Sequence, residues 1–379
     1  MKTLNAEKLA QKVRKFTDTM VNENRIMFGA EYLVRQEGKI VYHDALGVLD
    51  ENGGTMPKNH MFRIASMTKP VTSAALLIMV DEGKVDLMAP ISDYIPRYTN
   101  MTVGHDEGGK MMVDRAATGV IRVFNLLSHT SGIGTAPLCA IQKLPWESLK
   151  ATVDYYATQP LAFDPYTATS YSPTAAFDVA ARIVEVTSGM DYEQFLKERI
   201  FEPLGITDMG FTPDENRQRL FVPVHSTVDG KVTARKMTDG CVFEQIPYAA
   251  YCGGGGLFAT AQAYSEFAEM LLCDGIGRNG QRVLSEKTMR RMRTPHVPES
   301  MQLLDERWGL GVRVITSEHH HNNLPLGTFG WSGAYGTHFW CDPVNQITAV
   351  FMKNTCTPDK PGVSSVEQFE RTVYESLED

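Results

Sequence analysis

Phe62-Arg63-Ile64-Ala65-Ser66-Met67-Thr68-Lys69-Pro70 runs without a break into Val71-Thr72-Ser73-Ala74-Ala75-Leu76-Leu77-Ile78-Met79-Val80. An apolar run of this length with no turn residue reads as a buried helix, closed by Gly83 just past its end. Ser66 and Lys69 are three apart, so on a helix they share a face, with Cβ atoms roughly 5–6 Å apart. A serine hydroxyl is a weak nucleophile until a base takes its proton, and a desolvated lysine amine can be that base. If the helix opens at Ser66, the Ser66 N–H points out of its positive end, where an oxyanion could sit.

The bland alternative is a chance Ser-x-x-Lys, since both residue types are common. Against it, this lysine stands at the mouth of an apolar helix, where an unpaired cation is costly. Pro70 is tolerated only in the first helical turn, which keeps the start near Ser66, yet it disfavours α geometry at Lys69. The tetrad needs support from the rest of the chain.

With 379 residues the chain can hold one large or two moderate domains with a full core. Its 43% hydrophobic and 22% charged residues are those of an ordinary globular protein. The net charge of −8 argues against nucleic acid and against an anionic membrane surface as partners. Residues 1–20 contain no uninterrupted apolar core and no later stretch is long enough to span a bilayer, so the expected location is cytoplasmic. Cys139, Cys241, Cys252, Cys273, Cys341 and Cys356 form no Cys-x-x-Cys pair, which fits reduced thiols rather than a metal site or a disulfide framework.

Outward from the central stretch, Leu9, Val13, Phe16 and Met20 fall at helical spacing near the N-terminus. Glu31–Arg35 and Ile40–His43 read as a hairpin across Glu37-Gly38-Lys39. Residues 88–235 read as loops and short helices without convincing paired strands. Within them His129, in Leu126-Leu127-Ser128-His129-Thr130-Ser131-Gly132, reads as a residue holding a turn rather than a catalytic base. Ser172 reads as an N-cap and Pro173 as the first residue of a helix ended by Gly189, which leaves Tyr171 just outside the helix start.

Gly253–Gly256 lack a following Gly-Lys-Ser/Thr, so they mark a tight turn or close backbone approach rather than a phosphate loop. A helix follows from Ala261 to Cys273. Strand patterns return at 311–316, 328–331, 337–340 and 347–352, with short connections that imply antiparallel neighbours. His319-His320-His321 cannot all face one ion and reads as an exposed loop. Ser364 and Glu367 suggest a capping box for a last helix with Val366, Phe369 and Val373 on one face. The outline is a sheet built from both ends of the chain, residues 1–87 and 236–379, covered by both terminal helices and the Ser66 helix. A mostly helical insertion, 88–235, lies between.

This order of parts resembles the serine β-lactamase and penicillin-binding-protein superfamily, and within it the class C-like β-lactamase-related serine hydrolases. The resemblance rests on Phe62–Pro70, Leu126–Gly132, Tyr171-Ser172, Pro203–Gly210, Gly253–Thr260 and Gly330–Gly336, and so covers nearly the whole chain. It implies an α+β, β-lactamase/transpeptidase-like fold, with Ser66 as acylated nucleophile, Lys69 as its base partner and Tyr171 as proton relay. Tyr98-Thr99-Asn100 matches the family's Tyr-x-Asn literally, but it follows the Ser66 helix too soon and has no helix start behind it.

Two departures bear on substrate. Tyr171-Ser172-Pro173 lacks the family's asparagine amide, and Trp331-Ser332-Gly333 replaces Lys-Thr-Gly, which removes a cation facing a substrate carboxylate. The latter change is what family VIII carboxylesterases look like. By position, Ala334 would supply the second oxyanion N–H beside that of Ser66, and Trp331, Ser332 and Gly333 would border the substrate. Arg313 is a candidate replacement cation. The expected activity is cleavage of small esters through an acyl-enzyme, with no metal or organic cofactor. Amidase, D-aminopeptidase, weak β-lactamase, acyltransferase and non-catalytic binding readings stand as alternatives.

Overall fold

The structure, a computed structural model, describes residues 1–50, 52–108, 110–134, 144–218, 220–228, 231–234, 246–301, 305–318, 320, 322–355 and 363–379. Its largest sheet has seven antiparallel strands drawn from the two ends of the chain. From the N-terminal part come β1 (Gly29–Gln36) and β2 (Lys39–Gly47). From the C-terminal part come β3 (Glu306–Trp308), β4 (Arg313–Ile315), β5 (Phe329–Ser332), β6 (His338–Asp342) and β7 (Ile347–Met352). The order is β3-β4-β5-β6-β7-β1-β2, and the seam is closed by pairs such as Leu33 with Val350 and Val34 with Ala349. Glu37 and Gly38, both at positive φ, form the two-residue turn of the expected hairpin.

Helix α1 (Ala6–Asp18) and the last helix, α5 (Ser365–Tyr374), cover one face of this sheet. Leu9, Val13, Phe16 and Met20 from the first meet Phe369 and Val373 from the second over Tyr32, Trp340 and Phe351. Ser364 caps α5 by accepting from the Glu367 N–H at 3.2 Å.

The other face carries a correction. The helix lying on β1, β6 and β7 is α4 (Ala261–Leu272), while the Ser66 helix, α2 (Thr68–Asp81), lies one layer further out against α3 (Ala175–Ser188). The physical reason is in the composition of α2, which is apolar on every side and so needs protein all round it. Tyr264 of α4 ties the layers by donating to the Met67 carbonyl at 2.8 Å.

The 88–235 stretch also departs from expectation, for it contains two hairpins, Thr102–Glu107 with Lys110–Ala116 and His225–Val228 with Lys231–Ala234. The first is rich in charged and exposed side chains, which hides a strand from a reading based on apolar alternation. The 235/236 boundary lies outside the described residues, as do His319 and His321. His320 is buried rather than exposed. Cys252, Cys273 and Cys341 are free thiols, and the other three cysteines lie outside the described residues. Among the described residues no helix is long and apolar enough to cross a membrane, and no cluster of three metal-ligating side chains occurs.

Candidate active site

Ser66 sits in one 3₁₀ turn, Ala65–Met67, between the short strand Phe62–Arg63 and α2. Ala65 is held at φ +42°, a left-handed conformation. A residue with a Cβ enters that region at a cost of about 1–3 kcal/mol, and such strain concentrates where geometry serves chemistry. Because α2 starts at Thr68, Lys69 and Pro70 are its second and third residues. The first-turn N–H groups have no intrahelical acceptor, so a proline there loses no bond. Lys69 is helical here in spite of the steric bias that Pro70 places on it.

The Lys69 side chain is 1% exposed and Ser66 is 7% exposed. Lys69 Nζ donates to three oxygens: the Pro173 carbonyl at 2.6 Å, the Gly254 carbonyl at 2.7 Å and Ser66 Oγ at 3.1 Å. Two carbonyls therefore fix two N–H directions, and the third tetrahedral position points at Ser66 Oγ. On an ammonium that position is a donor, whereas on a neutral amine it is the lone pair that would take the serine proton. Tyr171 OH donates to the same Ser66 Oγ at 2.7 Å. Lys69 Nζ also lies 4.9 Å from the centre of the Tyr171 ring.

The glycine run earns its composition by close approach, as expected. A Cβ at Gly254 would stand 2.4 Å from Thr174 Cα, and one at Gly253 would stand 2.6 Å from the Phe177 carbonyl oxygen. Only glycine lets this backbone lie against the start of α3 and present its carbonyls to α2. The Gly253 carbonyl accepts from Thr72 Oγ1 at 2.7 Å, and Tyr192 OH donates to that Oγ1 at 2.8 Å.

Helix α3 begins at Ala175, two residues later than expected, and Pro173 is outside it. The N-cap is accordingly Thr174 and not Ser172, although Ser172 Oγ still accepts from the Ala176 N–H at 3.0 Å. The displaced Pro173 is what leaves a carbonyl free for Lys69.

His129 does hold a turn, and it also grips Tyr171 from both sides. Its carbonyl accepts from the Ser170 N–H at 3.0 Å and from Thr169 Oγ1 at 3.2 Å. Its Nδ1 accepts from the Ser172 N–H at 3.1 Å, and its ring lies 4.7 Å from the Tyr171 ring. Burial, aided by the charge of Lys69, pushes its pKa well below the usual histidine value, so the ring stays neutral and Nδ1 stays an acceptor.

Sequence reasoning missed Asp178, a fully buried carboxylate inside α3. Its oxygens accept from the Gly254 N–H and from Tyr156 OH, each at 3.1 Å. Burial raises its pKa to about 6 against the pull of those donors. An acidic residue inside an otherwise apolar helical pattern was the available signal. Trp308 was also missed. Its ring lies 4.5 Å from Trp331 and 4.4 Å from His129, and Trp331 lies 5.6 Å from Tyr171, so four rings form one wall beside Ser66.

On β5, Trp331 and Ser332 face opposite ways, as successive strand residues must. Trp331 joins the aromatic wall, while Ser332 Oγ is 2.8 Å from His338 Nδ1 on the face that carries α5. A Cβ at Gly333 would stand 2.3 Å from the Ile64 carbonyl, which sets this glycine tight against the segment before Ser66. Ala334 is the exposed corner of a turn in which the Gly336 N–H donates to the Gly333 carbonyl at 2.9 Å. Arg313 does not serve as a replacement cation. It is paired with Glu370 and with Glu306, the latter at 3.1 Å, on the α5 side. Tyr98, the decoy, is buried with its OH on the Val153 carbonyl.

The sheet of joined chain ends, the strained turn and the serine shared by a lysine and a tyrosine define a serine acyl-enzyme architecture. The beta-lactamase family model matches residues 9–366, and the chain belongs to that family of serine hydrolases. It is 33% identical to Protein Rv1367c of Mycobacterium tuberculosis over 88% of this chain and 87% of that protein. It is 26% identical to Esterase EstB of Burkholderia gladioli, over 93% of this chain and 92% of the esterase. Its fold is similar to that of EstCE1, described as a hydrolase with promiscuous acyltransferase activity, at a TM-score of 0.81 and 23% identity, covering 97% of this chain and 99% of that one.

Proposed function

We propose that the protein cleaves small esters of uncharged or weakly charged acids through an acyl-enzyme on Ser66. The observation that carries this reading is the convergence of Lys69 Nζ and Tyr171 OH on Ser66 Oγ, with two backbone carbonyls aiming the amine. Ser66 Oγ attacks the ester carbonyl as its proton passes to Lys69, and Tyr171 returns a proton to the leaving alcohol. Water then attacks the acyl-enzyme by the reverse proton route. The N–H groups of Ser66 and Ala334, which make no hydrogen bond among the described residues, serve as oxyanion donors.

The Trp331 wall and the commitment of Arg313 elsewhere both support a neutral substrate over one carrying a carboxylate. The similarity to EstCE1 favours a second outcome at the same intermediate, in which an alcohol instead of water takes the acyl group. The decisive test is intact mass after reaction with a fluorophosphonate probe. Rapid stoichiometric labelling of the wild-type chain at Ser66, with loss of both that label and ester turnover in Ser66→Ala, is the expected result. Ester turnover that survives in a folded Ser66→Ala variant would refute the reading.

A further inference from the structure

The far face of β5 holds a second serine backed by a base and an acid. Ser332 Oγ is 2.8 Å from His338 Nδ1, and His338 Nε2 is 2.9 Å from Glu370 Oε1. Glu370 is itself fixed, with Asn322 Nδ2 donating to Oε2 at 2.8 Å and Arg313 donating to Oε1. His338 and Glu370 are fully buried, whereas Ser332 is partly exposed.

The protons of this chain can be assigned from chemistry alone. A carboxylate only accepts, so His338 Nε2 carries the hydrogen and Nδ1 carries the lone pair in the neutral ring. Ser332 must then donate its proton inward to Nδ1, which leaves the lone pairs of Oγ directed away from the histidine. Burial raises the carboxyl of Glu370, but Arg313, His338 and Asn322 outweigh that and hold it down to about 2, so it is ionised at neutral pH. Burial also lowers the pKa of His338 against the pull of Glu370. The charged groups facing this ring are Glu370 from α5, Arg313 from β4 and Glu306 from β3.

We propose that Ser332 is a second acyl-acceptor serine, activated by His338 and Glu370 and independent of Ser66. A nucleophile held by a base that is oriented by a third group is recognised by geometry and roles, not by sequence position. The reagents it takes are small activated acyl donors, such as aryl acetates. Ser332 Oγ bonds to the acyl carbon, its proton moves to His338 Nδ1, and the C–O bond to the aryl oxygen breaks. The phenol leaves with that proton, while Nε2–H stays on Glu370. The acetyl group stays on Ser332 Oγ as a single stoichiometric label, so sustained ester turnover remains the property of Ser66.

The experiment uses the full-length Ser66→Ala variant, so the outcome is separate from that of the Ser66 reading. It is incubated with p-nitrophenyl acetate, and acetylated peptides are located by mass spectrometry. Ser332 is expected to acetylate, with a rate that levels off at a lower pH than an ordinary histidine base would give, since burial lowers the pKa of His338. Adding His338→Gln keeps a donor for Glu370 and an acceptor for Ser332 but removes the base, and should slow the reaction about 10²-fold. No acetyl group on Ser332 would overturn the proposal. So would an equal rate in a folded His338→Gln chain, or a rate climbing tenfold per pH unit through the neutral range, which marks an unassisted hydroxyl. The pH profile decides the matter even if His338→Gln does not fold.

Discussion

Pro173 and Lys69 are joined by a hydrogen bond of 2.6 Å from the lysine Nζ to the proline carbonyl oxygen. The residue that takes away a side-chain amide from the Tyr171 motif thus supplies a backbone acceptor to the base. A proline has no N–H to satisfy and fixes its own φ, so it presents that carbonyl with little conformational freedom. The amine is aimed by main chain from two loops, and among the described residues Ser66 is the one side chain that hydrogen-bonds to it.

Lys69→Met should therefore remove acylation while leaving substrate binding nearly intact. Loss of one positioned base costs about 10²–10⁴-fold in rate. Burst kinetics with a p-nitrophenyl ester separate the two effects, and a near-normal burst rate in the variant would show that another group takes the proton.

His129 provides a sharper test of how Tyr171 is held. In His129→Asn the amide oxygen can still accept from the Ser172 N–H, and asparagine tolerates the φ of +56° found here. His129→Leu can do neither. We predict that Asn retains most of the turnover while Leu lowers kcat about tenfold or more with little change in KM. Equal activity in the two variants would show that the grip on Tyr171 does not matter.

Glu370 gives a pH dependence of stability with a definite sign. Its pKa falls from an ordinary value of 4.5 to about 2 in the folded protein. A depressed carboxyl contributes stability above its unfolded pKa and loses it as pH falls through the folded one, here between about 4.5 and 2. Glu370→Gln should flatten that acid loss and, by leaving His338 without a carboxylate and Arg313 with Glu306 alone, destabilise the protein at neutral pH by no more than about 3–5 kcal/mol. Urea unfolding at several pH values measures both, and an unchanged acid slope would contradict the assignment.

Substrate preference follows from the absence, among the described residues, of a cation beside Ser66 that is free to meet a carboxylate. A charge-assisted contact to a carboxylate is worth about 1.5–3 kcal/mol, or roughly ten- to a hundredfold in binding. Arg313 is spent on Glu370 and Glu306, and Trp331 occupies the motif's lysine position. Short-chain p-nitrophenyl esters should be turned over and a chromogenic cephalosporin hardly at all. Efficient cephalosporin hydrolysis without ester turnover would reverse this.

The sequence made some features legible because local chemistry decides them. The Ser66–Lys69 spacing, the Glu37-Gly38 hairpin, the Ser364 cap and the need for glycine at 253 and 254 each depend on a few adjacent residues. What escaped depends on neighbours remote in sequence. Pro173 reads as a helix start until the demand of Lys69 for its carbonyl is known. Asp178 and Trp308 acquire meaning only when Gly254 and Trp331 arrive from other parts of the chain. The layer order of α2 and α4 was hidden because both are apolar enough to line a sheet; α4 differs in keeping a narrow polar edge at Gln262 and Glu266.

The seam between β1 and β7, described above as part of the sheet, also governs the order of assembly. Even the outermost residues obey it, since Thr3 pairs with Glu378 and the Asn5 N–H donates to the Ser376 carbonyl at 3.0 Å. A nascent chain can form α2, α3 and the hairpin of β1 and β2 early, but β1 has no partner on its other side until the final strands are made. Contacts so distant in sequence make folding slow. The long wait leaves the β1 edge open to pairing with the wrong strand. Loss of the last few dozen residues would therefore strip the first strand of its neighbour and the nucleophile of the strand that carries Trp331, so synthesis must be all but finished before the chain can fold as a whole.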